Sequence, residues 1–294
     1  MEPSYFRKIL VPLDGSELAE RALVPALAFS KAMSSQIIFV RVIDASALPG
    51  GQDLYQRMIE RHESEVKYYL RSLQSRSLFS EIDTESVTAA GRPAESIINF
   101  AQENDVDMIV ISSHGRSGIG RWVYGSVADK VLHGATCNIS LIHPQVIIEP
   151  FSYKRILVPL DGSPLAEQAL EPALALAEAV SAELILLRAV VLPLVPVEPV
   201  PGWPGMDAVM DIAGDEARRY LLNIKGALAK SPVPTKVEVV LGPTASEIID
   251  YADGEEIDLI VMSSRGLSGI GRWVFGSVTE KVLRGARCAT LVIR

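Results

Sequence analysis

Residues 9–28 read ILVPLDGSELAERALVPALA, and residues 156–175 read ILVPLDGSPLAEQALEPALA, so seventeen of these twenty positions are identical at an offset of 147. A second pair of segments follows later in each half. Residues 112–132 read SSHGRSGIGRWVYGSVADKVL and residues 263–283 read SSRGLSGIGRWVFGSVTEKVL, with sixteen of twenty-one positions identical at an offset of 151. Such a period is far too long for a solenoid, so the pattern indicates duplication of a whole domain.

Each copy alternates short apolar runs with amphipathic segments. In the first copy the runs predict strands at Lys8–Pro12, Gln36–Val42, Ile82–Ala89, Met108–Ser112 and Ile139–His143. The segments between them predict helices at Ser16–Ala32, Asp53–Arg76, Pro93–Asn104 and Ser126–His133. Pro25 is a candidate kink in the first of these helices. Strands that are apolar throughout are typical of parallel sheets covered by helices on both faces. We therefore predict two α/β domains, residues 1–147 and 148–294, each with three α/β/α layers and a five-stranded parallel sheet.

The bulk composition excludes several classes of function. The chain has 28 basic and 36 acidic residues and a net charge of −8, so we expect no nucleic-acid partner. The most apolar run, 184–200, is broken by charged residues and prolines, so we expect no membrane span. Two cysteines are too few for a disulfide framework. With no apolar stretch of signal-peptide length at the N-terminus, the sequence predicts a soluble, cytoplasmic protein.

Four segments of each copy are expected to meet at the carboxyl ends of the strands, where open α/β sheets bind ligands. They are residues 12–16, 41–44, 113–118 and 125–127 in the first copy, and residues 159–163, 188–191, 264–269 and 276–278 in the second. Glycines let the backbone approach a phosphate group, and a helix N-terminus supplies free N–H groups and partial positive charge. The end of the second strand can bond an adenine edge, and Asp14 can reach Mg²⁺ or the ribose.

Structural interpretations of the same residues stay open. Ser126-x-x-Asp129 and Ser277-x-x-Glu280 match the capping-box pattern, which requires no ligand. Asp14-Gly15-Ser16 is also an ordinary turn sequence. The repetition of all four segments in both copies favours ligand binding.

Catalysis is not indicated by the sequence. It contains no Walker A loop and no dinucleotide-binding glycine motif, and no serine or cysteine has a predicted histidine partner. His114 is replaced by Arg265 in the second copy, which argues against an essential base. We predict that the protein is not an enzyme, and weak ATP hydrolysis stays open.

The opening ILVPLDGS and the later SSHGRSGIGRWVYGSVADKVL resemble the universal stress protein family, over nearly the whole chain and in both halves. ATP-binding members of that family carry Gly, two residues, Gly, nine residues and then Gly-Ser or Gly-Thr. Gly115 with Gly125-Ser126 and Gly266 with Gly276-Ser277 match this motif, while Ser112 and Ser263 replace its first glycine. The resemblance implies a Rossmann-like fold of the adenine nucleotide alpha hydrolase type and an ATP-binding protein of regulation or stress response. The alternative is a member that binds no nucleotide and acts through protein–protein contacts.

Position and resemblance together give the expected nucleotide-binding residues. In the first copy they are Pro12, Leu13, Asp14, Val42, Ile111, Ser112, Gly115, Arg116, Gly118, Gly125, Ser126 and Val127. In the second copy they are Pro159, Leu160, Asp161, Ala189, Met262, Ser263, Gly266, Gly269, Gly276, Ser277 and Val278. The expected ligand is ATP with Mg²⁺, which Asp14 and Asp161 would reach indirectly. Because family members pair through their last strands, the resemblance also implies an intramolecular pseudo-dimer of the two domains or a homodimer. The sequence does not specify a protein partner.

Overall fold

The computed structural model describes residues 5–44, 52–113, 124–147, 151–191, 205–264 and 275–294. The first half contains β1 (Lys8–Pro12), α1 (Glu17–Glu20), α2 (Leu23–Met33), β2 (Gln36–Ile43), α3 (Gln52–Gln74), β3 (Thr84–Ala90), α4 (Pro93–Glu103), β4 (Met108–Ser112), α5 (Ser126–Gly134) and β5 (Asn138–Ile142). The second half repeats this order with β6 (Arg155–Pro159), α6 (Pro164–Glu167), α7 (Leu170–Val180), β7 (Glu183–Val190), α8 (Met206–Ala227), β8 (Thr235–Leu241), α9 (Thr244–Gly254), β9 (Leu259–Ser263), α10 (Ser277–Gly285) and β10 (Ala289–Ile293).

The strands of the first half form a parallel sheet in the order β3-β2-β1-β4-β5. The chain runs outward from β1 to β3 and then crosses back to β4 and β5. Because such crossovers are right-handed, α2 and α3 cover one face, and α4 and α5 pack together on the other. The neighbours β1 and β4 therefore send their connections in opposite directions, which opens the crevice where ligands of this architecture bind.

The second half repeats the arrangement, with β9-β6-β7-β8 in parallel order. Leu157 pairs with Ile185 in the register in which Leu10 pairs with Ile38. Both β4 and β9 are buried at every position, as expected for strands covered on both faces. The predicted tandem α/β folds are confirmed. No helix within the described ranges has both the length and the apolar content needed to cross a bilayer.

The last strand, β10, belongs to the first of two compact units of the structure. That unit holds the described residues up to Ser152 together with Ala289–Arg294, and the second unit holds those from Tyr153 to Cys288. Within the first unit β10 pairs antiparallel with β5, and Leu291 lies opposite Ser140. The Arg294 N–H donates to Asn138 Oδ1 at 3.1 Å. The domain division at 147/148 stays a prediction.

The helix predicted over Ser16–Ala32 is two helices, α1 and α2. Pro25 has no N–H to donate to the carbonyl of Arg21, so the helical bond across this point cannot form. The backbone instead forms a tighter turn of the 3₁₀ type, in which the Ala22 N–H donates to the Ala19 carbonyl three residues back at 3.1 Å. Pro172 stands at the equivalent place, and α6 and α7 are separated in the same way. The sequence predicts a kink at Pro25, and the structure shows that the proline divides the predicted helix into two.

Candidate ligand-binding sites

A cavity of about 250 Å³ opens in the crevice between β1 and β4 of the first unit. Every described residue of the predicted first site lines it, namely Pro12, Leu13, Asp14, Val42, Ile111, Ser112, Gly125, Ser126 and Val127. Ala19, Val40, Pro93, Ile97 and Ala128 complete the lining. The predicted residues Gly115, Arg116 and Gly118 lie outside the described residues.

The second unit has a corresponding cavity of about 360 Å³. It is lined by the described members of the predicted second site, Pro159, Leu160, Asp161, Ala189, Met262, Ser263, Gly276, Ser277 and Val278. Ala166, Leu187, Arg188, Val191, Thr244, Ile248 and Thr279 complete the lining. Gly266 and Gly269 lie outside the described residues. The same structural positions therefore bound a cavity in each copy.

The end of β2 presents backbone groups to the first cavity. The Leu13 N–H donates to the Val40 carbonyl at 2.8 Å, at the point where β1 ends and the chain turns away. Because successive residues of a strand direct their N–H and C=O groups to alternate sides, those of Val42 point the same way as those of Val40, beyond the end of β1. In the second unit the Leu160 N–H donates to the Leu187 carbonyl at 2.8 Å, so Ala189 has the same position relative to its cavity as Val42 has in the first unit. Each cavity therefore has a donor and an acceptor that can bond a planar heterocyclic edge.

The turn after β1 carries the carboxylate of each cavity. Asp14 Oδ1 accepts hydrogen bonds from the Ser16 N–H at 2.9 Å and from the Ser16 hydroxyl at 2.6 Å. The Ser16 hydroxyl in turn caps α1 by accepting from the Ala19 N–H at 3.2 Å. Gly15 has a φ of +80°, a left-handed conformation that favours glycine. The turn thus fixes the position of Asp14 at the rim of the cavity.

The N-terminus of α5 faces the same cavity. Gly125 is the N-cap residue, with a φ of −58°, and its carbonyl accepts the Asp129 N–H at 3.0 Å. Ser126 is therefore the first helical residue, and the capping-box interpretation of Ser126 and Asp129 was wrong. Gly276 is likewise the N-cap of α10, with a φ of −62°, so the same correction applies to Ser277. The free N–H groups and partial positive charge of these helix starts suit an anion.

The remaining walls are mostly apolar and come partly from α4 and α9. Pro93 and Ile97 line the first cavity, and Thr244 and Ile248 line the second. Sequence reasoning missed these residues, because positions on an amphipathic helix give no signal that separates a cavity wall from a core or a surface. Most polar groups of each cavity thus lie at its carboxylate turn, at the strand ends and at the start of α5 or α10, and Thr244 adds a hydroxyl to the second cavity.

Comparison with known proteins gives the same relationship for both halves. A family model described as the universal stress protein family matches residues 5–143 and again residues 152–294. The universal stress protein YxiE of Bacillus subtilis is 30% identical over 146 residues, which cover 47% of this chain and 99% of that protein. The universal stress protein Rv2005c of Mycobacterium tuberculosis is 29% identical over 218 residues, 73% of this chain and 70% of that protein. The crystal structure of a universal stress protein from Archaeoglobus fulgidus DSM 4304 has the same fold, with a TM-score of 0.73 and 23% identity over 98% of each chain.

Proposed function

The chain belongs to the universal stress protein family, and we propose that it is an ATP-binding regulatory module of the stress response in the cytoplasm. The observation that carries this proposal is the convergence, in both units, of a strand-end backbone, a carboxylate turn and a helix N-terminus on one cavity. Each of these groups suits a different part of an adenine nucleotide, and all three are needed together to recognise one.

The proposed contacts follow from the chemistry of each wall. The N–H and C=O of Val42 would bond the adenine edge, and the side chains of Val40 and Ile97 would contact its faces. The start of α5 would bind the phosphates through its free N–H groups. The described residues contain no group of three or more His, Cys, Asp or Glu side chains that could hold a metal ion alone. Mg²⁺ would be held mainly by the phosphates, and Asp14 would reach it indirectly.

Substitution of the two N-cap glycines tests the proposal. Gly125 and Gly276 have φ angles that any residue can adopt, so tryptophan at either position fills the phosphate side of one cavity without straining the backbone. We expect calorimetry to find two ATP sites in the nucleotide-free chain and one in each of Gly125→Trp and Gly276→Trp. Gly226→Trp is the matched control, because Gly226 has no neighbouring atom within 4 Å of an added Cβ.

The wild-type titration decides whether the proposal stands. Absence of ATP binding to the nucleotide-free chain would overturn it and would favour a role through protein contacts alone. We further propose binding without turnover, since the sequence provides no base common to both copies. A steady hydrolysis rate of the order of 1 s⁻¹, typical of enzymes, that was lost in Asp14→Ala would contradict this.

The two sites are proposed to differ in affinity. The second cavity is larger, about 360 Å³ against about 250 Å³, and Ala189 replaces Val42 at the strand end. Alanine offers less apolar surface than valine beside the adenine position, so we expect the first site to bind ATP more tightly. The two tryptophan variants leave one site each, so their dissociation constants compare the sites directly. Equal constants would refute the difference.

We also propose that the full chain acts as an intramolecular pseudo-dimer, since β10 already occupies the edge of β5, and an unpaired strand edge otherwise invites association. Light scattering of the full chain should then give the mass of one chain. A stable dimer would favour the homodimer that the family resemblance also allows.

A further inference from the structure

An arginine, a tyrosine and a glutamate form the same cluster beside the Asp-Gly-Ser turn in each unit. The guanidinium carbon of Arg41 lies 4.9 Å from the ring centroid of Tyr69, and the Tyr69 hydroxyl donates to Glu20 Oε1 at 2.9 Å. In the second unit Arg188 lies 4.9 Å from the ring centroid of Tyr220, and the Tyr220 hydroxyl donates to Glu167 Oε1 at 2.8 Å. We refer to these two sets as the Arg-Tyr-Glu clusters.

Each guanidinium rests against the glycine of the turn. A Cβ added to Gly15 would lie 2.8 Å from Arg41 Nη1, and one added to Gly162 would lie 3.3 Å from Arg188 Nη1. Val40 and Val42 line the first cavity, so the intervening Arg41 projects from the opposite face of β2. Arg41 therefore supports the turn from behind. Arg188 lies slightly farther from its glycine and also contributes to the wall of the second cavity.

The contacts of the first cluster close a ring through α1. Ser16 caps this helix and donates to Asp14, while Glu20 is its last residue and accepts from Tyr69. The cluster thus holds α1 at one end and contacts the turn at the other. The pKa of Tyr69 is raised by burial and by its hydrogen bond to Glu20, so the tyrosine stays a neutral donor. A displacement of Arg41 would be passed to both sides of the carboxylate turn.

The cluster residues are retained where the surrounding elements differ. Between β2 (36–43) and β7 (183–190), two of eight positions are identical, Ile38/Ile185 and Arg41/Arg188. Between residues 55–74 of α3 and 206–225 of α8, three of twenty are identical, Glu65/Glu216, Tyr69/Tyr220 and Leu70/Leu221. Core packing accounts for the isoleucines and leucines, which are fully buried. It does not account for the arginines and tyrosines, which are only half-buried.

We propose that Arg41 and Arg188 are positioning residues of the two ligand sites, which fix the turns that carry Asp14 and Asp161. The inference rests on the proposed nucleotide binding for its affinity readout, but its effect on the turn can be measured without nucleotide. We expect the arginine to need both its charge and its planar shape, because its guanidinium lies over the tyrosine ring and a Cβ added at Gly15 would lie within 3.2 Å of Nη1, Cζ and Nη2 of Arg41. Lysine should therefore not replace it.

The test uses the full chain with Gly276→Trp, so that ATP can bind only at the first site and the measured affinity belongs to that site. Arg41→Lys and Tyr69→Leu are compared with Arg71→Lys, a matched change on the exposed side of α3. Calorimetry with Mg²⁺-ATP measures affinity, and hydrogen exchange of residues 14–20 in the ligand-free chain measures the order of the turn. We expect each cluster variant to weaken ATP binding by roughly tenfold and to speed exchange in the turn. The double variant Arg41→Lys/Tyr69→Leu should bind ATP no more weakly than either single variant, because the two residues act as one unit.

Three results would overturn the inference. The first is unchanged hydrogen exchange at residues 14–20 in both cluster variants, and the second is unchanged ATP affinity of Arg41→Lys in a parent that binds ATP. The third is an equal increase of exchange in the buried strand β4, which would indicate general destabilisation. If the parent binds no ATP, the proposed function fails, and faster exchange confined to the turn would still support the positioning role. Tyr69→Phe keeps the ring and loses only the hydroxyl, so an intermediate effect is expected.

Discussion

Replacing Gly15 and Gly162 with alanine, one in each unit, tests how closely each turn contacts the guanidinium of its arginine. Gly15 and Gly162 have φ angles of +80° and +86°, so alanine costs about 1–2 kcal/mol of backbone strain at either position. The neighbouring guanidiniums differ, because a new Cβ would approach Arg41 to 2.8 Å but Arg188 only to 3.3 Å. The first distance forces the arginine to move, whereas the second requires a shift of only a few tenths of an ångström.

The difference between the two losses gives the strength of the contact with the tyrosine. Moving Arg41 weakens its stacking on Tyr69, which at a partly exposed site contributes roughly 0.5–1 kcal/mol. We therefore expect Gly15→Ala to lower the free energy of unfolding by about 0.5–1 kcal/mol more than Gly162→Ala does. Urea denaturation of the full chain, followed by circular dichroism, measures both losses, and separate transitions are fitted if the units unfold separately.

Two controls keep this result interpretable. Gly226→Ala, in the last turn of α8 with open space around it, should raise stability by about 0.5–1 kcal/mol, because alanine is the better helix former. In a Tyr69→Leu background the extra loss at Gly15 should disappear, since the stacking is already gone. Equal losses at Gly15 and Gly162, or an extra loss that persists in that background, would refute the reasoning.

Two further predictions concern residues outside the sites. Ser34 and Ser181 end α2 and α7 in the left-handed conformation, with φ of 55°, so Ser34→Gly and Ser181→Gly should each raise the free energy of unfolding by about 1 kcal/mol in urea titrations; a loss in either would contradict the strain argument. Burial raises the pKa of Cys137 to about 11 and that of Cys288 to about 12, and both thiols are free. In a Cys288→Ala chain at pH 8, iodoacetamide should therefore alkylate Cys137 about two-hundredfold more slowly than a small thiol of ordinary pKa. The alkylation rate should rise as the pH approaches 11, and rapid labelling at pH 8 would count against a buried thiol.

The strands could be predicted well because burial on both faces leaves a continuous apolar run. β1 and β4 have the predicted bounds, Lys8–Pro12 and Met108–Ser112. A kink at Pro25 could be predicted, but not that the proline divides the segment into α1 and α2. Periodicity continues through the break, so the missing hydrogen bond has to be counted residue by residue.

The residues of the sites could also be predicted only in part. Residues close in sequence to the strand ends, such as Asp14 and Gly125, could be placed because parallel strands bring their carboxyl ends to one edge. The Arg-Tyr-Glu clusters could not, since Tyr69 falls on the apolar face of its helix and its partner Glu20 lies 49 positions away. The capping pattern at Ser126 misled for a further reason, because a serine that begins a helix and a serine that caps one have the same local sequence.

Duplication supplies an internal comparison that a single domain would not offer. The segments that differ least between the copies, those beginning at residues 9 and 112, supply the turn after β1, the end of β4 and the start of α5, which together bound the first cavity. A segment that differs strongly, α3 against α8, keeps at a half-buried position a tyrosine whose ring holds the arginine behind that turn. Packing alone would let Tyr69 exchange with other apolar side chains, as Val66 and Leu73 have done for Ala217 and Ile224. The joint retention of Arg41 and Tyr69 is therefore best explained by the turn that Arg41 contacts, because the tyrosine holds the arginine against it.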